Sequence, residues 1–199
     1  MTALKTIILY RSKHHGNTKK VVDAIAAAYP GVDTVDVATL GKNEYPDVSG
    51  YHLIGAASGI YYGGMDKDLK RVLEHVLQPQ DQVFGLITYG GNEKWHGRDL
   101  AAVCQVRFAN LQTIHGCLGY DTFGPFKLVG GMNKGRPNAE DIQGAVDFYG
   151  RLERDYGDIF IEQYERRTRE RAWEKAHPRG GLVAGIKRSV KKIAGKARK

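Results

Sequence analysis

The sequence predicts an α/β protein whose parallel β-sheet is covered by helices on both faces. Five short apolar runs, each suited to a buried strand, alternate with segments whose apolar residues recur at helical spacing. A chain of 199 residues with 42% hydrophobic content is long enough to bury one sizeable core. We therefore expect one α/β domain with some additional material.

The strands are predicted from runs of apolar and β-branched residues bounded by polar or glycine-containing loops. Such runs read as fully buried strands because helices cover both faces of a parallel sheet. The runs are TIILY (6–10), VDTVDV (32–37), YHLIGAA (51–57), QVFGLITY (82–89) and TIHGCLGY (113–120).

The helices are predicted from apolar residues that share one helical face. The last of them has the clearest start, because Asn138 is a suitable N-cap and Glu140 and Asp141 place negative charge in the first turn. The predicted helices cover residues 18–29, 69–77, 98–112 and 135–152.

A charged extension follows the predicted domain. Residues 156–176 are rich in Glu and Arg, residues 177–181 (HPRGG) break the helical pattern, and an apolar series among lysines follows. Residues 177–199 carry eight Lys and Arg and no Asp or Glu, which leaves 22 basic and 22 acidic residues in the rest of the chain. We therefore divide the chain into a domain at 1–152 and an extension with a basic tail at 153–199. The apolar series is Leu182, Ile186, Val190, Ile193 and Ala197.

Several classes of protein are not favoured by the composition. No apolar run approaches the ~18 residues of a membrane-spanning helix, and the apolar start is too short for a signal peptide. Cys104 and Cys117 form no CxxC motif, so neither a zinc site nor a disulfide framework is indicated. We expect a cytoplasmic protein without a metal site, whose two cysteines are buried thiols.

The loop after the first strand has the composition of an anion site. In an open parallel sheet the ligand lies beyond the carboxyl ends of the strands. There the stretch SKHHGNT leads into a helix, whose first N–H groups attract an anion, and Gly16 lets the backbone approach closely. Ser12, Asn17 and Thr18 add short polar side chains. A phosphate site and an ordinary polar turn both fit this loop, which matches neither the nucleoside-triphosphate loop nor the dinucleotide fingerprint.

Two further loops combine glycine with aromatic residues. The loop after the third strand contains Tyr61 and Tyr62 among glycines, and the loop after the fourth strand contains Tyr89 and Trp95 beside Gly90 and Gly91. Aromatic faces at this edge would stack on a planar heterocycle; the alternative is that Tyr61 or Tyr62 packs under the next helix. Taken with the anion loop, these loops predict a pocket for a flat ring that carries a phosphate arm.

These loops give the sequence a family resemblance. SKHHGNT resembles the phosphate loop of flavodoxins, IGAASGIYYGG resembles their second flavin loop, and HGCLGYDTFGPFKLVGGMNKGRPNAEDI is similar to the end of bacterial flavodoxin-domain proteins. The resemblance covers about residues 4–152. It implies a doubly wound five-stranded sheet in the order 2-1-3-4-5 and non-covalently bound FMN.

The resemblance also implies a role for individual residues. Ser12, His15, Gly16, Asn17 and Thr18 would hold the FMN phosphate; Tyr61 or Tyr62 would stack on the ring system; Ser58, Gly59, Ile60 and Gly63 would line its reactive edge; and Tyr89, Gly90, Gly91 and Trp95 would line the other side, with Tyr120 and Asp121 at the rim. This sequence departs from the family pattern at His15, where many flavodoxins have threonine. Lys13, His14 and Lys19 also make the loop more cationic than usual.

Three functions remain open at this point. The first is an FMN-binding electron carrier that serves a reductase and an acceptor protein, with no catalytic residues of its own. The second is an FMN-dependent oxidoreductase acting on a small acceptor such as a quinone or porphyrinogen, with Trp95 and His96 beside the substrate.

In the third, residues 182–199 form a basic amphipathic helix on anionic lipid, since their apolar spacing favours lipid over nucleic acid. A solvated tail, or a helix packed on its own domain, explains the same residues.

Overall fold

The computed structural model describes residues 3–91, 97–124 and 130–177, which form a parallel sheet flanked by helices. The strands are β1 (Thr6–Arg11), β2 (Val32–Asp36), β3 (Leu53–Tyr61), β4 (Gly64–Met65), β5 (Gln82–Tyr89) and β6 (Asn110–Leu118). The helices are α1 (Asn17–Ala28), α2 (Lys67–Val76), α3 (Arg98–Arg107) and α4 (Ala139–Ala176), with one 3-10 turn at Val37–Thr39.

The strand order confirms the predicted fold class. The sheet runs β2-β1-β3-β5-β6, and each neighbouring pair is parallel. Counted without β4, this is the order 2-1-3-4-5. The difference is β4, a two-residue strand that folds back antiparallel on the end of β3 and pairs Ile60 with Met65. The sequence gave no sign of this hairpin, because Gly63 and Gly64, which follow the run at 51–57, suggested only a loop.

Each face of the sheet has its own apolar core. On one face, Val22 and Ile25 of α1 and Tyr149 of α4 belong to a cluster of buried residues. On the other face, Leu69 of α2 and Val103 of α3 belong to a second cluster. A doubly wound sheet is stable because both faces are removed from water in this way.

The centre of the sheet depends on a small residue. A Cβ added to Gly55 of β3 would lie 2.7 Å from Cζ of Phe84 on β5 and 2.9 Å from Cγ1 of Ile8 on β1. The Phe84 ring therefore fills the space above Gly55, so packing at the centre of the sheet requires a residue without a side chain at this position.

Two predicted elements differ from the structure: one strand is less buried than expected, and one helix is shorter. The run at 32–37 was expected to be a buried strand, but β2 is the edge strand and only its first residue, Val32, is buried. The helix predicted at 98–112 ends at Arg107, and residues from Asn110 onward pair with β5 instead. Phe108 follows the helix in a left-handed conformation (φ 55°), which ends it. The Arg107 guanidinium, in the last turn, donates two hydrogen bonds to the Leu77 carbonyl oxygen, at 2.8 and 2.9 Å.

Helix α4 joins two segments that the sequence analysis treated separately. It begins after Asn138, whose Oδ1 accepts from the Asp141 N–H at 3.0 Å while Asp141 Oδ2 accepts from the Asn138 N–H at 2.8 Å. This reciprocal cap confirms Asn138 as the helix start. The helix continues to Ala176, so the charged segment extends the last helix of the domain.

The chain divides into two compact units, one ending at Ile161 and one beginning at Glu162. Phe160 and Ile161 still belong to the apolar core of the first unit. The functional division at residue 152 stays a prediction, and the apolar series from Leu182 to Ala197 lies outside the described residues. No helix in the described ranges is long and apolar enough to cross a membrane.

Candidate functional site

The loops that follow β1, β3, β5 and β6 lie at one edge of the sheet, because the carboxyl ends of parallel strands meet there. The register supports this arrangement: Arg11 is level with Ser58, Gly59 with Thr88, and Tyr89 with Leu118. The sheet itself thus brings together the four loops that the sequence analysis examined.

The loop after β1 ends in an open helix start. His15 and Gly16 both have left-handed backbones, with φ of 55° and 68°, and Gly16 precedes the first residue of α1. No side chain of the described residues caps this helix, and a Cβ at Gly16 would meet nothing within 4 Å. The Asn17 N–H donates to the His14 carbonyl oxygen at 3.3 Å, so the next N–H groups of α1, which have no partner inside the helix, are the ones available to an anion.

Two buried polar atoms in this loop have no hydrogen-bond partner among the described residues. They are Ser12 Oγ and Asn17 Oδ1. The Asn17 side chain is held in place, because its Nδ2 donates to the Tyr120 carbonyl oxygen at 2.8 Å. A buried polar atom without a partner costs about 1–3 kcal/mol, so both atoms fit a polar ligand. The Ser12 hydroxyl would donate to a phosphate, whereas Asn17 Oδ1 would accept from a ligand hydroxyl.

The extra positive charge expected in this loop is largely neutralised, which corrects one expectation. Lys13 Nζ lies 2.5 Å from Asp66 Oδ2, and Lys19 Nζ lies 2.6 Å from Asp23 Oδ2. The second pair joins residues i and i+4 of one helix, whereas the first joins two different loops. Neither lysine brings a free charge to the anion site.

His15 and Thr18 turn their side chains towards neighbouring loops. His15 Nε2 lies 2.9 Å from Thr122 Oγ1, and its ring centroid is 4.3 Å from that of Tyr120. Thr18 Oγ1 lies 2.8 Å from Thr88 Oγ1. His15 therefore joins the loop after β1 to the loop after β6, whereas Thr18 joins the start of α1 to the end of β5. Thr18 contributes its backbone rather than a free hydroxyl to the helix start.

The two tyrosines after β3 have different environments. The Tyr61 hydroxyl accepts from the Lys13 N–H at 2.8 Å, and its ring covers Gly59, where an added Cβ would lie 2.7 Å from the hydroxyl oxygen. Burial of this ring raises the pKa of Tyr61 above its ordinary value. Tyr62 is 91% exposed, and its ring meets Phe123 edge-on at 4.9 Å. Tyr62 is thus the ring that is free to stack, while Tyr61 forms a wall.

The loop after β5 is held by a residue that the sequence analysis missed. Asn133 Nδ2 donates to the Gly90 carbonyl oxygen at 2.7 Å, and Gly90 packs directly against the Asp121 side chain. Asn133 is one of the few non-glycine residues with a left-handed backbone (φ 55°). Nothing in the sequence marked it, because the contact joins two loops 43 residues apart. Trp95 and His96 lie outside the described residues.

A cavity of about 860 Å³ opens between these loops. Most of the predicted ring-binding residues line it, together with residues that the sequence analysis did not single out. The predicted ones are Ile60, Tyr61, Tyr62, Gly63, Tyr89, Gly90 and Gly91, and the additional ones include Lys67, Lys70, Asp99 and Phe123. A smaller pocket of about 30 Å³, lined by Asn17, Thr18, Thr88 and Tyr120 among others, lies beside the anion loop. Ser12, His15, Gly16 and Ser58 line neither space.

The fold and this edge of the sheet define a class of protein: a doubly wound α/β protein with an anion cradle beside an aromatic cavity. A model of the flavodoxin domain matches residues 7–94. An uncharacterized protein of Methanocaldococcus jannaschii is 32% identical over 148 residues, which cover 73% of this chain and 95% of that protein.

Two solved structures are similar to this chain. The rubredoxin oxygen:oxidoreductase of Desulfovibrio gigas matches with a TM-score of 0.57 at 12% identity, over 80% of this chain and 36% of that one, and this likeness supports the fold. A flavodoxin of Streptococcus pneumoniae TIGR4 matches with a TM-score of 0.49 at 15% identity, over 75% of this chain and 98% of that one. The chain belongs to the flavodoxin-domain family, and its cofactor is accordingly FMN.

The residues present fit this cofactor. The open start of α1 and the Ser12 hydroxyl suit the phosphate, Asn17 Oδ1 suits a hydroxyl of the ribityl chain, and the cavity beside Tyr62 suits the ring system. The role of each residue in binding FMN remains a prediction.

Proposed function

We propose that this protein binds FMN at the loops after β1, β3, β5 and β6 and transfers electrons between redox partner proteins. The observation that supports this is the continuity of the site: His14, Tyr61 and Tyr89 line both the small pocket at the start of α1 and the aromatic-lined cavity of about 860 Å³. FMN, when bound, supplies one-electron and two-electron redox chemistry. The protein's part is to hold the phosphate, to cover one face of the ring with Tyr62, and to exclude water with Tyr61.

The visible absorption spectrum of the purified protein, recorded before and after FMN is added, tests the first part of this proposal. Stepwise anaerobic reduction then tests the second. We expect a bound-flavin spectrum and reduction in separate one-electron steps. A protein that leaves the FMN spectrum unchanged would refute the proposed function.

A second candidate is an FMN-dependent oxidoreductase that acts on a small acceptor such as a quinone or porphyrinogen. The size of the cavity favours it, because about 860 Å³ lies near the upper end of the roughly 300–1,000 Å³ of small-molecule sites. Lys67, Lys70 and Phe123 extend the cavity beyond the predicted ring-binding residues. Steady-state turnover of a quinone with NAD(P)H, without an added reductase, would support the oxidoreductase and exclude a pure carrier.

The basic tail carries a separate proposal, which rests on its sequence. Residues 182–199 combine an apolar series with a run of lysines and no acidic residue, the composition of a helix that lies on anionic lipid. We propose a cytoplasmic protein that associates peripherally with such a surface. Co-sedimentation with anionic liposomes should be stronger for the full chain than for a chain that ends at Ala176, and equal binding would remove the membrane role.

A further inference from the structure

Lys13 connects the anion loop to the loop after β3 at two points. Its backbone N–H donates to the Tyr61 hydroxyl at 2.8 Å, and its Nζ lies 2.5 Å from Asp66 Oδ2. The same Nζ is 5.5 Å from the centroid of the Tyr61 ring. One residue of the anion loop is therefore attached to both ends of the segment 61–66, which forms one wall of the large cavity.

Asp66 is the fixed end of this connection. It is 1% exposed, and its Oδ1 accepts from the Asp68 and Leu69 N–H groups at 2.9 and 3.2 Å, which caps α2. Its own N–H donates to Ser58 Oγ at 3.1 Å. A buried carboxylate needs a positive partner, and Lys13 is the one cation within ion-pair distance of Asp66 in the described part of the chain.

This arrangement leaves Lys13 with little net attraction for a phosphate, because the nearby carboxylate opposes the ammonium charge. We infer that Lys13 is a positioning residue for the ring side of the FMN site: it fixes segment 61–66 and does not bind the phosphate. The site then distinguishes FMN from riboflavin through uncharged hydrogen-bond donors, namely the Ser12 hydroxyl and the free N–H groups at the start of α1. The inference rests on the proposed function.

The ratio of riboflavin to FMN dissociation constants separates the two possible roles of Lys13. Lys13→Gln removes the ammonium group, Lys13→Arg retains a cation that can pair with Asp66, and Lys19→Gln removes a nearby lysine whose ion pair with Asp23 is exposed. For Lys13→Gln we expect both dissociation constants to rise about tenfold, with a ratio within about twofold of the wild-type value. Lys13→Arg should recover most of the affinity, and Lys19→Gln should have little effect.

A phosphate-binding Lys13 would behave differently. In that case Lys13→Gln would weaken FMN alone and the ratio would collapse, which would overturn the inference. Unchanged affinity for both flavins would overturn it as well.

Hydrogen exchange of the flavin-free protein gives a second measurement that needs no flavin. The Asp66, Asp68 and Leu69 amides should exchange faster in Lys13→Gln than in Lys19→Gln, while the amides of β5 keep their rates. Equal rates at these three amides would overturn the inference. If the wild-type protein fails to bind FMN, the proposed function is wrong, yet this comparison still decides whether Lys13 fixes the segment.

Discussion

At the scale of single residues, two exposed aromatic side chains with similar backbones lie at different places in the fold. Tyr62 and Phe108 are 91% and 76% exposed, and both have left-handed backbones, with φ of 53° and 55°. Tyr62 lines the large cavity, whereas Phe108 follows α3 and precedes the amino end of β6, away from the ligand loops. A comparison of alanine variants at these two positions therefore separates the loss of stacking on FMN from the general effect of removing an exposed ring.

We expect Tyr62→Ala to weaken FMN binding by about 1–3 kcal/mol, because the variant loses a stacking face. Its free energy of unfolding without flavin should change by less than about 0.5 kcal/mol, since so exposed a ring contributes little to stability. Fluorescence titration with FMN and urea denaturation measure the two quantities. Phe108→Ala is the control and should bind FMN as the wild type does; equal losses in the two variants would contradict a stacking role for Tyr62.

Ser12 offers a second test at this scale. Its hydroxyl is a buried donor without a partner among the described residues, so Ser12→Ala should leave the flavin-free protein equally stable or slightly more stable. FMN affinity should fall by about 1.5–3 kcal/mol, the usual value of a hydrogen bond to a charged group, while riboflavin affinity stays unchanged. Calorimetric titration measures both affinities. Thr34→Ala, which removes an exposed hydroxyl on β2, is the control.

At the scale of secondary structure, the elements that follow from local sequence were predicted well. The apolar runs became strands, and the Asn138 cap lies where its sequence indicated. The start of α3 at Arg98 was predicted, but its carboxyl end and the hairpin of β4 were not, because long-range pairing decides them. Residues 110–112 were predicted as the end of a helix, but they belong to β6, whose Asn110 and Leu111 pair with β5.

The cap of α4 can be tested directly. Asn138→Ala removes the acceptor for the Asp141 N–H and should lower the free energy of unfolding by about 1 kcal/mol. Gln143→Ala, which loses only an exposed contact with Asp147 on the same helix, should change it by less than about 0.5 kcal/mol. Urea denaturation compares the two variants. Equal stability of both would show that the reciprocal cap contributes nothing to α4.

At the scale of the whole molecule, stability should decline in mildly alkaline solution. Burial raises the pKa of Cys104 to about 11 and that of Cys117 to about 12, against an ordinary value of 9.0. Between pH 9 and pH 10 the unfolded chain therefore loses thiol protons that the folded chain retains. Since the unfolded state then binds fewer protons, the free energy of unfolding falls as pH rises, by about 1 kcal/mol for each cysteine over this interval.

The variant Cys104→Ala with Cys117→Ala provides the comparison. Although it is less stable overall because of lost packing, its free energy of unfolding should be about 2 kcal/mol less sensitive to the change from pH 9 to pH 10. Urea denaturation at the two pH values measures this. A decline as steep as that of the wild type would show that the thiols are not its cause.

The sequence predicted the overall architecture of the site better than its contacts. The loops at 12–18, 57–63 and 89–91 were predictable because strand order alone brings them to one edge. The neutralisation of Lys13 by Asp66 and the contact of Asn133 with Gly90 were not, since each joins residues from separate loops. Likewise, the choice between Tyr61 and Tyr62 needed side-chain directions, which composition does not contain.

The packing of Phe84 over Gly55 has a consequence for how this family can diverge. The two residues occupy one volume at the middle of the sheet, so a homologue with alanine or a larger residue at position 55 needs a narrower side chain at position 84. The two positions should covary across an alignment. A homologue that gains bulk at one position alone would need the two strands to move apart, and that movement would also shift the ligand loops at their ends.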